Sequence, residues 1–431
     1  MRSVTLRMIL KATILGVAAL LLTAGGSFGQ SVTLTAGPTT VKLPDGQVVP
    51  MWGYTCSAAA VAPATCAASN PNAAGGWSPV VITVPPGNLT ISLTNNLSFV
   101  AGTGTNNVPT SLMIVGQLGG GLGAAPARTP SPVHSPQDTT WPIAATGPQF
   151  TPPPQLDRVQ SFGTEVAAGA PTALTWTGLK SGTYLIESGT HPSIQGPMGL
   201  YGVLVVTDTS VTPAMAYPAG PAGTPAAVTY NADVPLVLSE IDPVQNRAVD
   251  AAVHTSGFLE TRVWSGQPGQ CGNPTSTTFG TCYPPAVNYD PRYYLINGVG
   301  FDKTNASLSA FATTPATVTG TVLVRFVNAG LRMHVPSIVG AQTGGTTAVP
   351  GFSLIAEDGN VLPGIPRVQS EVFLPAGKVY DVMINAPATG TDLPVFDRQL
   401  SLSTNNQRDG GMQGYINVNG GVLSASLHEF S

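Results

Sequence analysis

From Ser31 onward, apolar and polar positions alternate with a period of two in short runs. Residues 32–34, 41–43 and 48–51 open the series. Residues 80–84 and 89–93 follow, with Pro85-Pro86-Gly87-Asn88 supplying a turn between them. Residues 110–115, 172–179, 182–186 and 200–206 complete a first set of strands. A second set starts at residues 235–239 and resumes at 293–296 after an insertion. It continues through 322–327, 352–356, 372–374 and 380–384. Beyond the N-terminal segment no run repeats every 3.6 residues, so no helix is expected. Short strands at this spacing predict an all-β chain of two Greek-key β-sandwiches.

Between the strands, residues 116–154 are rich in Gly and Pro and read as a long surface excursion. Residues 212–227 hold Pro213, Pro218, Pro221 and Pro225 among Ala and Gly, the composition of a semi-extended linker. The organisation expected is a leader over 1–29, a first domain over 30–210, a linker over 211–230 and a second domain over 231–431. The leader reading rests on Arg2, Arg7 and Lys11 ahead of an apolar stretch over 12–22, then Ser27-Phe28-Gly29 as a small-x-small cleavage site. These features predict export to the periplasm, the cell surface or the medium. No later stretch is long and apolar enough to predict a membrane span.

Composition supports this picture and narrows the partners. Only 9% of the 431 residues are charged, while 50 Gly and 40 Pro punctuate a Thr-, Val- and Ala-rich background. Removing the leader leaves 14 of the 17 basic residues against 21 acidic ones, a net charge of −7. That balance disfavours nucleic acid and anionic lipid, and leaves a protein partner or self-assembly. Four cysteines form two local pairs, Cys56/Cys66 and Cys271/Cys282. In an exported chain these are expected as disulfides, since neither pair has the short spacing of a zinc or haem-attachment site.

The stretch GTYLIESGTHPSIQGPMGLYGVLVV over 182–206 resembles the segment that ends the first domain of a multicopper oxidase. Further on, YLING (294–298), VRFVNA (324–329), LRMHVP (331–336), IAEDG (355–359) and LPAGKVYDV (374–382) are similar, in order, to motifs of that family's middle domain. LPDG (43–46), MWGY (51–54), FDR (396–398) and GGM (410–412) resemble the large secreted bacterial members associated with manganese oxidation. The resemblance covers nearly all of the chain after the leader and implies two cupredoxin-like domains.

The family's oxygen-reducing copper cluster takes two His-x-His pairs from the first domain. The resemblance places those positions at Met113 and Val115, and at Glu187 and Gly189; none is histidine. No segment carries the signatures of the family's last domain, and no cysteine adjoins a histidine as a blue-copper site needs. The expectation is therefore a multicopper-oxidase-like protein without copper chemistry, serving in binding or assembly. The alternative is a copper- or manganese-binding accessory subunit, or a weakly active oxidase. Met113, Glu187, His191 and Met198 are then the candidate metal pocket, against the plainer reading that His191 is a hydrogen-bonded loop residue. His334 is expected to be structural, and His134, His254 and His428 to be solvated. Asp242, Asp358 and Asp381 are assigned to turns. No Ser/His/Asp order, nucleophile elbow or phosphate loop stands out.

Overall fold

A computed structural model of the chain describes residues 29–73, 76–122, 157–262 and 264–423, and the pairs 128–129, 137–138 and 149–150. The leader, most of the 116–154 excursion, His134 and His428 lie outside the described residues. The two sets of strands form two β-sandwiches stacked back to back, and the all-β expectation holds.

In the first sandwich, one sheet runs in the order Pro171–Leu179, Gly87–Asn95, Gln30–Lys42, Val48–Cys56. The other runs Thr65–Ala68, Val80–Val84, Tyr201–Val206, Gly182–Glu187, Met113–Ile114. Gln30–Lys42 pairs in parallel with Gly87–Asn95, and Tyr201–Val206 with Val80–Val84, so the chain crosses between the sheets as a Greek key does. Period-two alternation sends Val32, Leu34, Ile82, Ile91, Leu93, Trp176 and Leu204 into the space between them. The Cys56–Cys66 bond joins Val48–Cys56 of one sheet to Thr65–Ala68 of the other. Closing so short a loop limits the unfolded chain and contributes about 2–3 kcal/mol.

The second sandwich repeats the plan. Ala232–Ile241 and Thr321–Asn328 run in parallel at the centre of its larger sheet, flanked by Val379–Asn385 and Tyr293–Ile296. Its smaller sheet runs Ala310–Ala312, Gln413–Val418, Thr391–Asp397, Pro336–Ile338. Leu236, Leu238, Val324, Phe326, Phe352 and Ile384 fill the core between them.

The sandwiches meet through the outer faces of two sheets. Along Tyr201–Val206, Leu204 and Val206 face the first core, while Tyr201, Val203 and Val205 join Val237, Tyr293, Leu295, Val327 and Val379 in a cluster between the sandwiches. A strand buried on both faces loses its alternation, which is why YGVLVV is apolar nearly throughout. Each large side chain in this cluster contributes about 1.5–3 kcal/mol by leaving water.

A buried charge cluster sits in this contact. Alternation along Thr321–Asn328 puts Val324 and Phe326 in the core and turns Arg325 outward, where the first sandwich buries it. Its Nε lies 2.7 Å from Asp233 Oδ2 and its Nη1 3.4 Å from Asp381 Oδ2. Nη1 also donates to Thr183 Oγ1 at 2.9 Å, and that hydroxyl donates to Asp381 Oδ1 at 2.7 Å. Burial raises the Asp381 carboxyl and Arg325 opposes that rise, so the pair is mutually dependent. Asp381 is thus an interface anchor rather than a turn residue. Asp358 does occupy a turn, and Asp242 caps a helix.

The Pro-rich stretch expected as a semi-extended linker instead forms a hairpin, Ala214–Tyr217 paired with Val228–Tyr230. Its tyrosines have burial to gain: Tyr217 donates to Asp381 Oδ2 at 2.6 Å, and Arg325 lies over the Tyr230 ring at 5.2 Å. Two short helices also depart from the helix-free expectation, Pro192–Met198 and Pro243–Val253. The second starts at Asp242, whose Oδ1 accepts from the Val244 and Gln245 amides at 2.9 and 3.1 Å, with Pro243 in the first turn. Its Val249, Ala252 and Val253, with Phe258 and Tyr283 on either side of the Cys271–Cys282 loop, pack into the core of the first sandwich.

Replacing Arg325 with Met should cost about 3–5 kcal/mol, because it strands Asp233 and Asp381 in the contact. Adding Asp381→Asn should recover part of that loss. Urea unfolding followed by circular dichroism reads both, and equal stability of R325M and the unaltered chain would refute the role given to this cluster.

Candidate functional site

The two segments that the resemblance aligns with copper-ligand pairs are neighbours in space. Met113–Ile114 pairs antiparallel with Gly182–Glu187, in a register that sets Ile114 opposite Ile186 and Met113 opposite Glu187. The Val115 amide donates to Leu185 O at 2.9 Å and extends the ladder. Positions 113, 115, 187 and 189 therefore gather at one edge of the five-stranded sheet.

Beneath them lies a layer of buried hydroxyls and amides. Gln195 is its hub: Oε1 accepts from Thr110 Oγ1 at 2.8 Å and from Ser188 Oγ at 2.6 Å, and Nε2 donates to Pro109 O at 2.8 Å. Ser111 Oγ accepts from the Gly189 amide at 3.0 Å and from Thr190 Oγ1 at 3.1 Å. Tyr54 donates to Ser111 O at 2.6 Å, and burial holds its hydroxyl protonated far above the usual range. Ser161 and Thr190 close the layer at 3.0 Å. The network fixes four chain segments to one another.

Above this layer, the Met113 thioether occupies the room that a side chain at 189 would need. A Cβ built on Gly189 would lie 2.6 Å from Met113 Sδ and 2.8 Å from its Cγ. Glu187 stands beside this pair, its carboxyl raised by burial. Of the four candidate pocket residues, Met113 and Glu187 are therefore cross-strand partners. Met198 packs into the apolar core from the end of the Pro192–Met198 helix. His191 precedes that helix with φ of 40°, and its ring turns toward the insertion: Nε2 is 3.6 Å from Glu260 Oε2, and the Tyr283 ring meets it edge-on at 5.5 Å.

Sequence reasoning gave Glu260, Glu165 and Gln160 no role. Gln160 Nε2 donates to Glu165 Oε1 at 3.2 Å and to Glu260 Oε1 at 3.1 Å, bridging two carboxylates beside His191. Burial raises the Glu165 carboxyl, and the Glu260 charge raises it further. No local signal could have found this cluster, since Glu260 arrives on an insertion from the second half of the chain.

His334 lies in the second sandwich, far along the chain from these residues, and is buried. It sits between two carboxylates: Nδ1 is 3.0 Å from Asp397 Oδ2, and Nε2 bonds Glu240 Oε1. Glu240 also accepts from the Leu331 and Arg332 amides at 3.0 and 3.3 Å, and Asp397 from the Val335 amide at 2.8 Å. Desolvation alone would depress the imidazole, but the bonds to Asp397 and Glu240 prevail and hold it up at about 9. This imidazolium ties the Ala232–Ile241 and Thr391–Asp397 strands to the segment at 334, in keeping with the structural role expected for it. His254 ends the Pro243–Val253 helix, with Phe99 edge-on at 5.4 Å. Among the described residues, no group of three or more His, Cys, Asp or Glu is placed to hold a metal ion, and all four cysteines are in disulfides. No helix among them is long and apolar enough to cross a membrane.

No protein-family model and no curated protein matches the chain. Solved structures do. The blue copper oxidase of Nitrosomonas europaea superposes with a TM-score of 0.50 and 15% identity, over 90% of this chain and 85% of that one. The multicopper oxidase mgLAC gives 0.50 and 17% identity, over 91% and 87%. The chain has a multicopper-oxidase-like cupredoxin fold.

Gly189→Ala should destabilise by about 1–3 kcal/mol through overpacking against Met113. M113A should relieve most of that cost, giving a strong coupling in a double-mutant cycle. Additive losses would show that the two positions do not contact each other.

The His334 pKa is raised on folding, so its stabilisation is complete below the ordinary value of 6.5 and is lost as pH rises through about 9. The sum is on the order of 3 kcal/mol. Bonding to His334 and the Val335 amide overcomes desolvation and lowers Asp397, so its contribution is present above its ordinary 3.8 and lost as pH falls below that. Thermal midpoints should decline on the alkaline side toward pH 9, and His334→Gln should flatten that limb. An unchanged alkaline limb in H334Q would contradict the assignment.

Proposed function

We propose that this chain is an exported, non-catalytic relative of the multicopper oxidases that works by binding or assembly. One observation carries the reading: the edge where the resemblance expects four imidazoles holds Met113, Val115, Glu187 and Gly189, with the Met113 side chain packed into the space at 189. An oxygen-reducing copper cluster needs several nitrogen donors converging on open volume. Here a thioether, an isopropyl group, a desolvated carboxyl and a hydrogen replace them, and the volume is filled. These residues do not fit the copper cluster, and no step through it is derived.

The rest of the edge supports the same reading. The hydroxyl–amide layer below is satisfied internally, so the edge is stable without a metal. A blue-copper centre needs a thiolate, and every sulfhydryl is committed to a disulfide. What remains is a rigid, doubly stapled pair of sandwiches with a sparsely charged surface, a scaffold suited to presenting surfaces to other macromolecules. The leader read from the sequence supports the periplasm or the cell surface as its place of work.

Copper loading tests this. After incubation with Cu(II) and desalting, the protein should retain no stoichiometric copper by mass spectrometry. It should show no blue-copper absorbance and oxidise neither a phenol nor Mn(II). Stoichiometric copper with turnover of either substrate would overturn the proposal.

A further inference from the structure

Between the Pro243–Val253 helix and the Tyr293–Ile296 strand, the chain leaves the second sandwich and lies against the first. Within residues 257–283 the backbone hydrogen bonds are local, such as Leu259 N to Thr281 O and Gly272 N to Ser265 O. Among the described residues, none of them reaches a strand of the first sandwich. Phe258 and Tyr283, edge-on to each other at 5.1 Å, supply an apolar grip. Glu260 supplies a polar one: its Oε1 accepts from Gln160 Nε2 at 3.1 Å, and its Oε2 lies 3.6 Å from His191 Nε2. A segment held by side chains alone opens locally at lower cost than the strands it covers.

The polar grip joins groups of like charge. The same Gln160 Nε2 donates to Glu165 Oε1 at 3.2 Å, so docking leaves two carboxylates sharing one amide. Among the described residues, neither carboxylate forms an ion pair with a lysine or arginine. The other titratable groups facing the pair are His191, from the loop before the Pro192–Met198 helix, and Tyr283. Arg262 donates instead to Thr281 Oγ1 at 2.8 Å. His191 Nε2, Glu260 Oε2 and the Tyr283 hydroxyl are buried without a hydrogen-bond partner among the described residues. Two carboxylates in such a place favour taking up one proton between them.

We propose that residues 257–283 form a pH-sensitive strap: a proton held between Glu165 and Glu260 keeps it docked, and loss of that proton loosens it. The inference is independent of the role proposed above and uses none of its residues. Burial, and then the Glu260 charge, raise the Glu165 carboxyl. Its contribution to docking is therefore complete below the ordinary value of 4.5 and is lost as pH rises through the raised one. Acid holds the strap; neutral and alkaline solution loosen it and uncover the apolar positions under Phe258 and Tyr283.

Hydrogen exchange read by mass spectrometry on the full chain provides the test, with rates corrected for the intrinsic pH dependence of amide exchange. Between about pH 4 and about pH 8, protection over 257–283 should fall by about tenfold, the worth of one unit of displaced titration. Protection over Ala232–Ile241 should not follow it. Glu165→Gln and, separately, Glu260→Gln should each hold the strap at the alkaline end and flatten the dependence. Equal protection of the unaltered strap at both ends would overturn the proposal, whether or not the variants fold. So would an unchanged dependence in both variants, or a loss shared equally by the central strands.

Discussion

A guanidinium in a dry contact has to be neutralised where it stands, and around Arg325 that requirement fixes how the two sandwiches sit. Asp233 and Asp381 come from the second sandwich, Thr183 from the first, and Tyr217 and Tyr230 from the hairpin between them. Apolar burial between the sheets drives association but tolerates sliding, since Val against Val has no preferred register. The charged cluster does not tolerate it. A displacement that broke the bond to Thr183 would leave a buried charge short of partners.

The edge that the resemblance aligns with a metal site keeps its strand pairing with other side chains in place. Strand pairing brings positions 113 and 187 together whatever side chains they carry, because the backbone ladder does the work. Once imidazoles are absent from that edge, the space must be filled or stabilised otherwise. Met113 fills it by lying over Gly189, and methionine's unbranched flexibility suits such an irregular gap. The hydroxyl–amide layer beneath needs no ion to stay intact.

Much of the architecture was readable from alternation and motif order. The first sandwich, the larger sheet of the second and the disulfide pairs were legible, because period two and turn chemistry are local properties; the smaller sheet of the second sandwich was not read, and residues 372–374, read as a strand, form only an isolated bridge at Leu374. Tyr201–Val206 was readable only as a buried strand; nothing local says that its second face meets another sheet. The Pro243–Val253 helix had a sequence signal in Asp242-Pro243 that the strand-rich background masked. Asp381 could not be told from a turn aspartate without knowing that position 325 faces it. At the candidate site, Met113 opposite Glu187 was implied by the resemblance. The turn of His191 toward Glu260 was hidden, since it depends on an insertion some 70 residues downstream folding back.

That fold-back sets an order on the making of the protein. Val249, Phe258 and Tyr283 sit among the buried residues of the first sandwich, although they follow its last strand in the chain. A nascent polypeptide that has emerged only as far as Val206 owns every strand of that sandwich and still lacks part of its interior. Its exposed apolar patch must wait, shielded or aggregation-prone, until the chain through Tyr283 has been synthesised. The first half of this molecule is completed by the second.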